Sequence, residues 1–97
     1  TSMAGVNEFI RRTTEGVART GKGVCHTVSI SPLTATPTAG LLTIYDSTTE
    51  AGTAIYSEWV FATTPGHTIL LDCIVRNGIF VGFDGTLANI AVTVTHS

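Results

Sequence analysis

TILLDCIVRNGIFVG, the stretch Thr68–Gly82, decides the fold class. Its first eight residues are rich in aliphatic and β-branched side chains, which favour a half-buried pleat. They are followed by Asn77-Gly78, a dipeptide whose two residues tolerate the positive φ of a type I′ turn. The spacing predicts a two-residue hairpin loop. That register places Val75 opposite Phe80, Ile74 opposite Val81, and Cys73 opposite Gly82.

Working outward, the same period-two signal recurs. In Val24–Ser31, alternation puts Val24, His26, Val28 and Ile30 on one face and Cys25, Thr27 and Ser29 on the other. Leu41–Asp46 and Ile55–Phe61 follow, the latter with Ile55, Trp59 and Phe61 on a core face and Glu58 opposite. In Leu87–Thr95, Ala88, Ile90, Val92 and Val94 alternate with Asn89, Ala91, Thr93 and Thr95. Punctuation falls between the runs: Pro32–Gly40, Ser47–Thr53, Thr63–His67 and Asp84-Gly85 read as loops or turns. Six short strands and no convincing helix predict an all-β fold, an antiparallel β-sandwich that is jelly-roll-like.

The chain has 97 residues, room for one domain. Residues 1–22 read as an extended N-terminal arm and residues 23–97 as the sandwich. Thr13, Thr14 and Gly16 argue against a helix in the arm, although Asn7 is a conceivable N-cap. Thr1 and Ser2 precede Met3 and read as an expression remnant. Four of the five basic residues, Arg11, Arg12, Arg19 and Lys22, lie in this segment. A basic block beside a mildly acidic body reads as an interaction arm.

Only 12% of residues are charged, against 18 threonines, which excludes a charge-rich disordered chain or a coiled coil. No apolar run approaches the length of a transmembrane helix. A net charge of −2 gives no electrostatic drive toward nucleic acid or anionic lipid, so neither is expected as a partner.

The residues that carry chemistry are sparse. His26, His67 and His96 lack the spacing of a metal motif, and Cys25 and Cys73 are not paired as C-x-x-C. No cofactor is expected. Both cysteines read as small buried hydrophobes, with a disulfide as the alternative if their Cα atoms approach within about 7 Å. The chain has no G-x-S-x-G elbow, and Gly21-Lys22-Gly23 is too short for a phosphate loop. Asp46 and Asp84 sit at strand ends, where acids cap turns. Asp72, an acid inside an apolar run, needs a hydrogen-bonding partner or a subunit contact. Tyr45 and Tyr56, each an apolar body with a polar tip, are the aromatic residues best suited to an exposed contact. Nothing here points to an enzyme.

Two phrases carry a resemblance. One is Leu42-Thr43-Ile44-Tyr45-Asp46 followed by Ser47-Thr48-Thr49-Glu50-Ala51-Gly52-Thr53; the other is Asn77-Gly78-Ile79-Phe80-Val81 with the closing Gly85–Val94. Together they resemble small virion structural proteins of tailed bacteriophages, over roughly residues 23–96. The chain departs from that pattern by ending Thr95-His96-Ser97, without a terminal aromatic. The resemblance implies a non-enzymatic protein of the virion, a head decoration or capsid cement or a fibre-like appendage. Its partners would be further copies of itself, a trimer being favoured, and the phage capsid or another virion protein. Arg11, Arg12, Arg19, Tyr45 and Tyr56 are the candidate partner-binding residues. The alternative is a fibre- or lectin-like glycan-binding module.

Overall fold

A computed structural model describes residues 8–97. The first seven residues of the expected arm, Asn7 included, lie outside the described residues. Eight strands run in chain order: β1 (Glu8–Arg12), β2 (Gly16–Thr20), β3 (Gly23–Pro32), β4 (Thr38–Asp46), β5 (Thr53–Val60), β6 (His67–Val75), β7 (Gly78–Ala88) and β8 (Ile90–His96). They form two four-stranded antiparallel sheets. Sheet A has the order β1-β8-β3-β6 and sheet B the order β2-β7-β4-β5. The apolar faces meet in one core. Val28, Ile30, Ile90, Val92 and Val94 from sheet A pack with Leu42, Ile44, Val60, Ile79 and Val81 from sheet B. The architecture is all-β and sandwich-like.

The pairing has a simple logic. The first strand pairs with the last, the second with the seventh, the third with the sixth and the fourth with the fifth. Only β4 and β5, joined by residues 47–52, form a hairpin of consecutive strands.

The expected Asn77-Gly78 hairpin is therefore corrected. β6 pairs with β3, while β7 pairs with β2 and β4 in the other sheet. Residues 76–77 are a crossing between sheets. Its amides are held from outside: the Asp46 carboxylate accepts from the Arg76 N–H at 3.0 Å and the Asn77 N–H at 2.8 Å, and Gly21 N–H donates to the Asn77 carbonyl at 3.0 Å. Gly78 adopts φ 150°, and a Cβ there would lie 2.6 Å from the Arg19 carbonyl oxygen. Glycine is needed because the crossing runs against the backbone of β2.

Three further expectations change. The described part of the N-terminal arm is two strands, β1 on sheet A and β2 on sheet B. Asp84-Gly85 lies within β7, where a register shift against β4 replaces the expected turn. Gly40 sits beside that shift, and a Cβ on it would meet Leu87 N at 2.5 Å, so β4 approaches β7 too closely for a side chain. The run 87–95 breaks at Asn89, whose φ of 62° is tolerated by asparagine and turns the chain from sheet B into sheet A.

The phase of β3 also slips. A bulge between Cys25 and Thr27 sends Cys25, Val28 and Ile30 inward and leaves Val24, Thr27 and Ser29 partly exposed. His26 is the residue inserted against β8, while against β6 it faces two residues, Leu71 and Asp72; its Nδ1–H donates to Asp72 Oδ1 at 2.9 Å. Asp72 itself holds φ 46° on β6 and is exposed, so it escapes burial by taking the bulge position.

Asp46→Ala tests the crossing. Two buttressed amides lose their acceptor, and unfolding in urea should show a loss of about 1–2 kcal/mol. Those amides lower the Asp46 pKa from its ordinary 3.8. The stabilisation is thus complete above that value and disappears as pH falls through the lowered one. The difference between variant and parent should narrow in acid; equal stability at neutral pH would contradict the role.

Candidate binding surfaces

The five candidate contact residues do not converge. The Arg12 guanidinium folds back on the β1–β2 turn, donating to the carbonyls of Thr14 at 3.1 Å and Glu15 at 3.1 Å. Arg19 donates to the Lys22 carbonyl through Nη2 at 2.7 Å and meets His96 Nδ1 at 3.3 Å. Both arginines are thus bound to the chain's own backbone. Tyr45 lies over the outer face of sheet B, with its ring 6.4 Å from that of Phe80 and against Gly82, where a Cβ would come 2.9 Å from Tyr45 Cε2. Tyr56 is half-buried and donates to Glu58 Oε1 at 2.6 Å. Only Arg11 stands exposed on a sheet face, in a row with Thr93, Ser29 and Thr68.

Of the expected core face of β5, Ile55 packs against the core, but a register shift beside it turns Trp59, and Phe61 just beyond the strand, outward. Trp59 and Phe61 are 51% and 59% exposed and meet edge to face at 6.3 Å between ring centroids. Tyr56 and Glu58 are half-buried, as is Ile55, and Glu58 meets His67 of β6. His67 Nδ1–H donates to the Pro65 carbonyl at 2.9 Å, and Nε2–H donates to Glu58 at 2.7 Å. Both partners only accept, so the ring must carry both protons. The Glu58 hydrogen bond, reinforced by Pro65, raises the His67 pKa above 6.5. Partial burial first, then the same carboxylate, pushes Tyr56 up to about 12. This trio ties β5 to β6, the edge strands on one side of the sandwich.

His96 is the opposite case. It is buried, and its Nδ1 faces a guanidinium that only donates. Burial first, then Arg19, lowers its pKa below 6.5, so it is neutral.

The outer face of sheet A spans all four of its strands. One row runs Phe9–Thr95–Thr27–Leu70 across all four strands, and the next runs Arg11–Thr93–Ser29–Thr68. Phe9 and Leu70, at the two ends of the first row, are 71% and 70% exposed, and Ile74 adds to the β6 margin. Between them the hydroxyls satisfy one another: Thr27 Oγ1 and Thr95 Oγ1 share a hydrogen bond at 2.6 Å, as do Ser29 Oγ and Thr68 Oγ1 at 2.9 Å. Hydroxyls already paired lose little when water is removed.

Sheet B presents a second outer row, Trp59–Leu41–Asp84. The neighbouring Asp84 carboxylate, with Glu15 nearby, raises the Glu50 pKa to about 7. That carboxylate group is fully solvated, so salt screens it.

Hydrophobic alternation could have located the sheet A face through its Thr and Ser positions. Nothing local to β5 announces that Glu58 turns inward, because its partner His67 lies on another strand.

Two measurements follow. His67→Gln should cost about 1 kcal/mol near pH 6 and less near pH 9. A raised folded pKa stabilises below the unfolded value, and this is lost as pH rises through the folded one. A pH-independent loss would contradict the charged ring. For the monomer, Trp59 should emit as a solvated indole and be quenched by iodide; a shielded, blue-shifted emission from a monomer of proven mass would contradict its exposure.

Comparison with protein-family models, with curated proteins and with solved structures returned no match for this chain.

Proposed function

We propose that this protein is a non-enzymatic structural subunit of a tailed-phage virion, which self-associates and binds the capsid as a decoration or cement. The observation that carries the reading is the outer face of sheet A: paired hydroxyls framed by exposed Phe9, Leu70 and Ile74. Such a face joins apolar margins to a centre that desolvates at low cost. The described molecule measures 43 × 27 × 18 Å. A broad face of that size, on the order of 1,000 Å², can supply the roughly 800 Å² per partner of a stable interface. A ligand that binds only the assembled shell stabilises it by mass action.

The strand order supports a finer reading of the fold. β1-β8-β3-β6 over β2-β7-β4-β5, with the chain's two halves paired along their length, supports reading the fold as a jelly roll. That architecture serves viral capsid and lectin domains alike. The phage-like phrases at Leu42–Thr53 and Asn77–Val94 add to the virion reading, and the virion is the proposed location. The favoured assembly is a trimer.

The second reading, a glycan-binding module, is favoured by one observation. Trp59 stands exposed beside Phe61, in the same row as Asp84. Aromatic faces stack on sugar rings, and a carboxylate accepts from their hydroxyls.

Isolated phage capsids lacking the protein separate the two. The wild-type chain should co-sediment with the shells and raise their melting temperature, and Leu70→Asp should bind at least tenfold more weakly. Trp59→Ala should leave shell binding intact. Absence of wild-type binding, together with glycan-array signals abolished by Trp59→Ala, would overturn the capsid reading in favour of the glycan one.

A further inference from the structure

Cys25 and Cys73 are directly opposite each other across the β3–β6 pair. Residues opposite each other on neighbouring antiparallel strands share a face and hold their Cα atoms about 4.5–5.5 Å apart. That is inside the span a disulfide bridges. Their environments differ. Cys25 is fully buried, on the same face as Val28 and Ile30, whereas Cys73 is only partly covered. Both are free thiols. Cys73 belongs to β6, which has only one neighbour in its sheet, and the bulge at His26 and Asp72 adjoins the pair. An edge strand beside a bulge has room for the small adjustment that closing a disulfide requires.

We propose that Cys25 and Cys73 form a site of reversible oxidation that takes a small-molecule disulfide as its reagent and becomes an intramolecular cross-link stapling edge strand β6 to β3. The Cys73 thiolate attacks one sulfur of glutathione disulfide. A Cys73–glutathione bond forms, the reagent's S–S bond breaks, and glutathione leaves as a thiolate that takes up a proton. Cys25 then gives its proton to solvent, and its sulfur attacks Cys73 Sγ. The protein disulfide forms and the second glutathione leaves. Two protein thiols are oxidised by two electrons, and one glutathione disulfide is reduced to two thiols. Burial, with Cys73 alongside, holds the Cys25 thiol up to about 11, so the exposed partner reacts first. The inference rests on strand register, burial and the edge position of β6, and is independent of the virion reading.

The test treats the folded, reduced protein with glutathione disulfide, quenches with acid, and maps the products by mass spectrometry. The expected product has lost two hydrogen atoms, carries no glutathione, contains a Cys25–Cys73 peptide pair, and reverts with dithiothreitol. Cys73→Ser should leave Cys25 unmodified in the folded protein and reactive in denaturant. Cys25→Ser should stop at a stable glutathione adduct on Cys73. The proposal is overturned if the folded wild-type protein accumulates that adduct with Cys25 still a thiol, forms Cys73-linked dimers instead, or does not react.

Discussion

The Asp46 carboxylate holds the amides of Arg76 and Asn77, and the topology turns on that contact. Without a partner, the N–H groups at a reversal are most easily satisfied by folding the next strand back as a hairpin. Here they are satisfied by an acid 31 residues away in sequence, at the end of β4. The chain after residue 77 is thereby free to leave sheet A and enter sheet B between β2 and β4. Everything downstream inherits this. β7 occupies the centre of sheet B, Asn89 returns the chain to sheet A, and β8 lies between β1 and β3. Most of the pairing is consequently between strands remote in sequence, which favours slow folding.

How much of this was legible depends on whether the signal is local. The inward positions Ile90, Val92 and Val94 could be read by counting in twos, because β8 is regular over that span. Val28 and Ile30 could be read for the same reason, but the face of Cys25 could not: one residue, His26, inserted against β8 reverses the phase, and alternation carries no mark of a bulge. Asn77-Gly78 marks a change of direction without naming the partner strand. On β5, apolar character placed Trp59 inside and Glu58 outside. The structure does the opposite because Glu58 is satisfied by Tyr56 and His67, the second of them nine residues away. Two of the arginines that read as an interaction arm, Arg12 and Arg19, donate to backbone carbonyls, since short loops leave acceptors that a guanidinium fork can reach, while Arg11 stays exposed.

Surface and interior are therefore divided by satisfaction as much as by hydropathy. Polar groups enter the sandwich margin where each has a partner, as in the Tyr56–Glu58–His67 trio and the Arg19–His96 contact. Large apolar groups remain outside, where Phe9, Leu70 and Ile74 border a face of mutually bonded hydroxyls. Exposed apolar groups grouped in this way mark a contact surface, and the proposed second copy or shell would cover them. The proposed redox pair joins Cys25 to Cys73 on the same edge strand that supplies Leu70 and Ile74.

The solution mass, measured by light scattering behind size exclusion over a concentration series, tests the central claim that the sheet A face is a contact surface. The account predicts one oligomer whose mass is independent of concentration, and a monomer of undiminished thermal stability when Leu70 is replaced by aspartate. A wild-type chain that remains monomeric at every concentration, or an oligomer indifferent to Leu70→Asp, would contradict it.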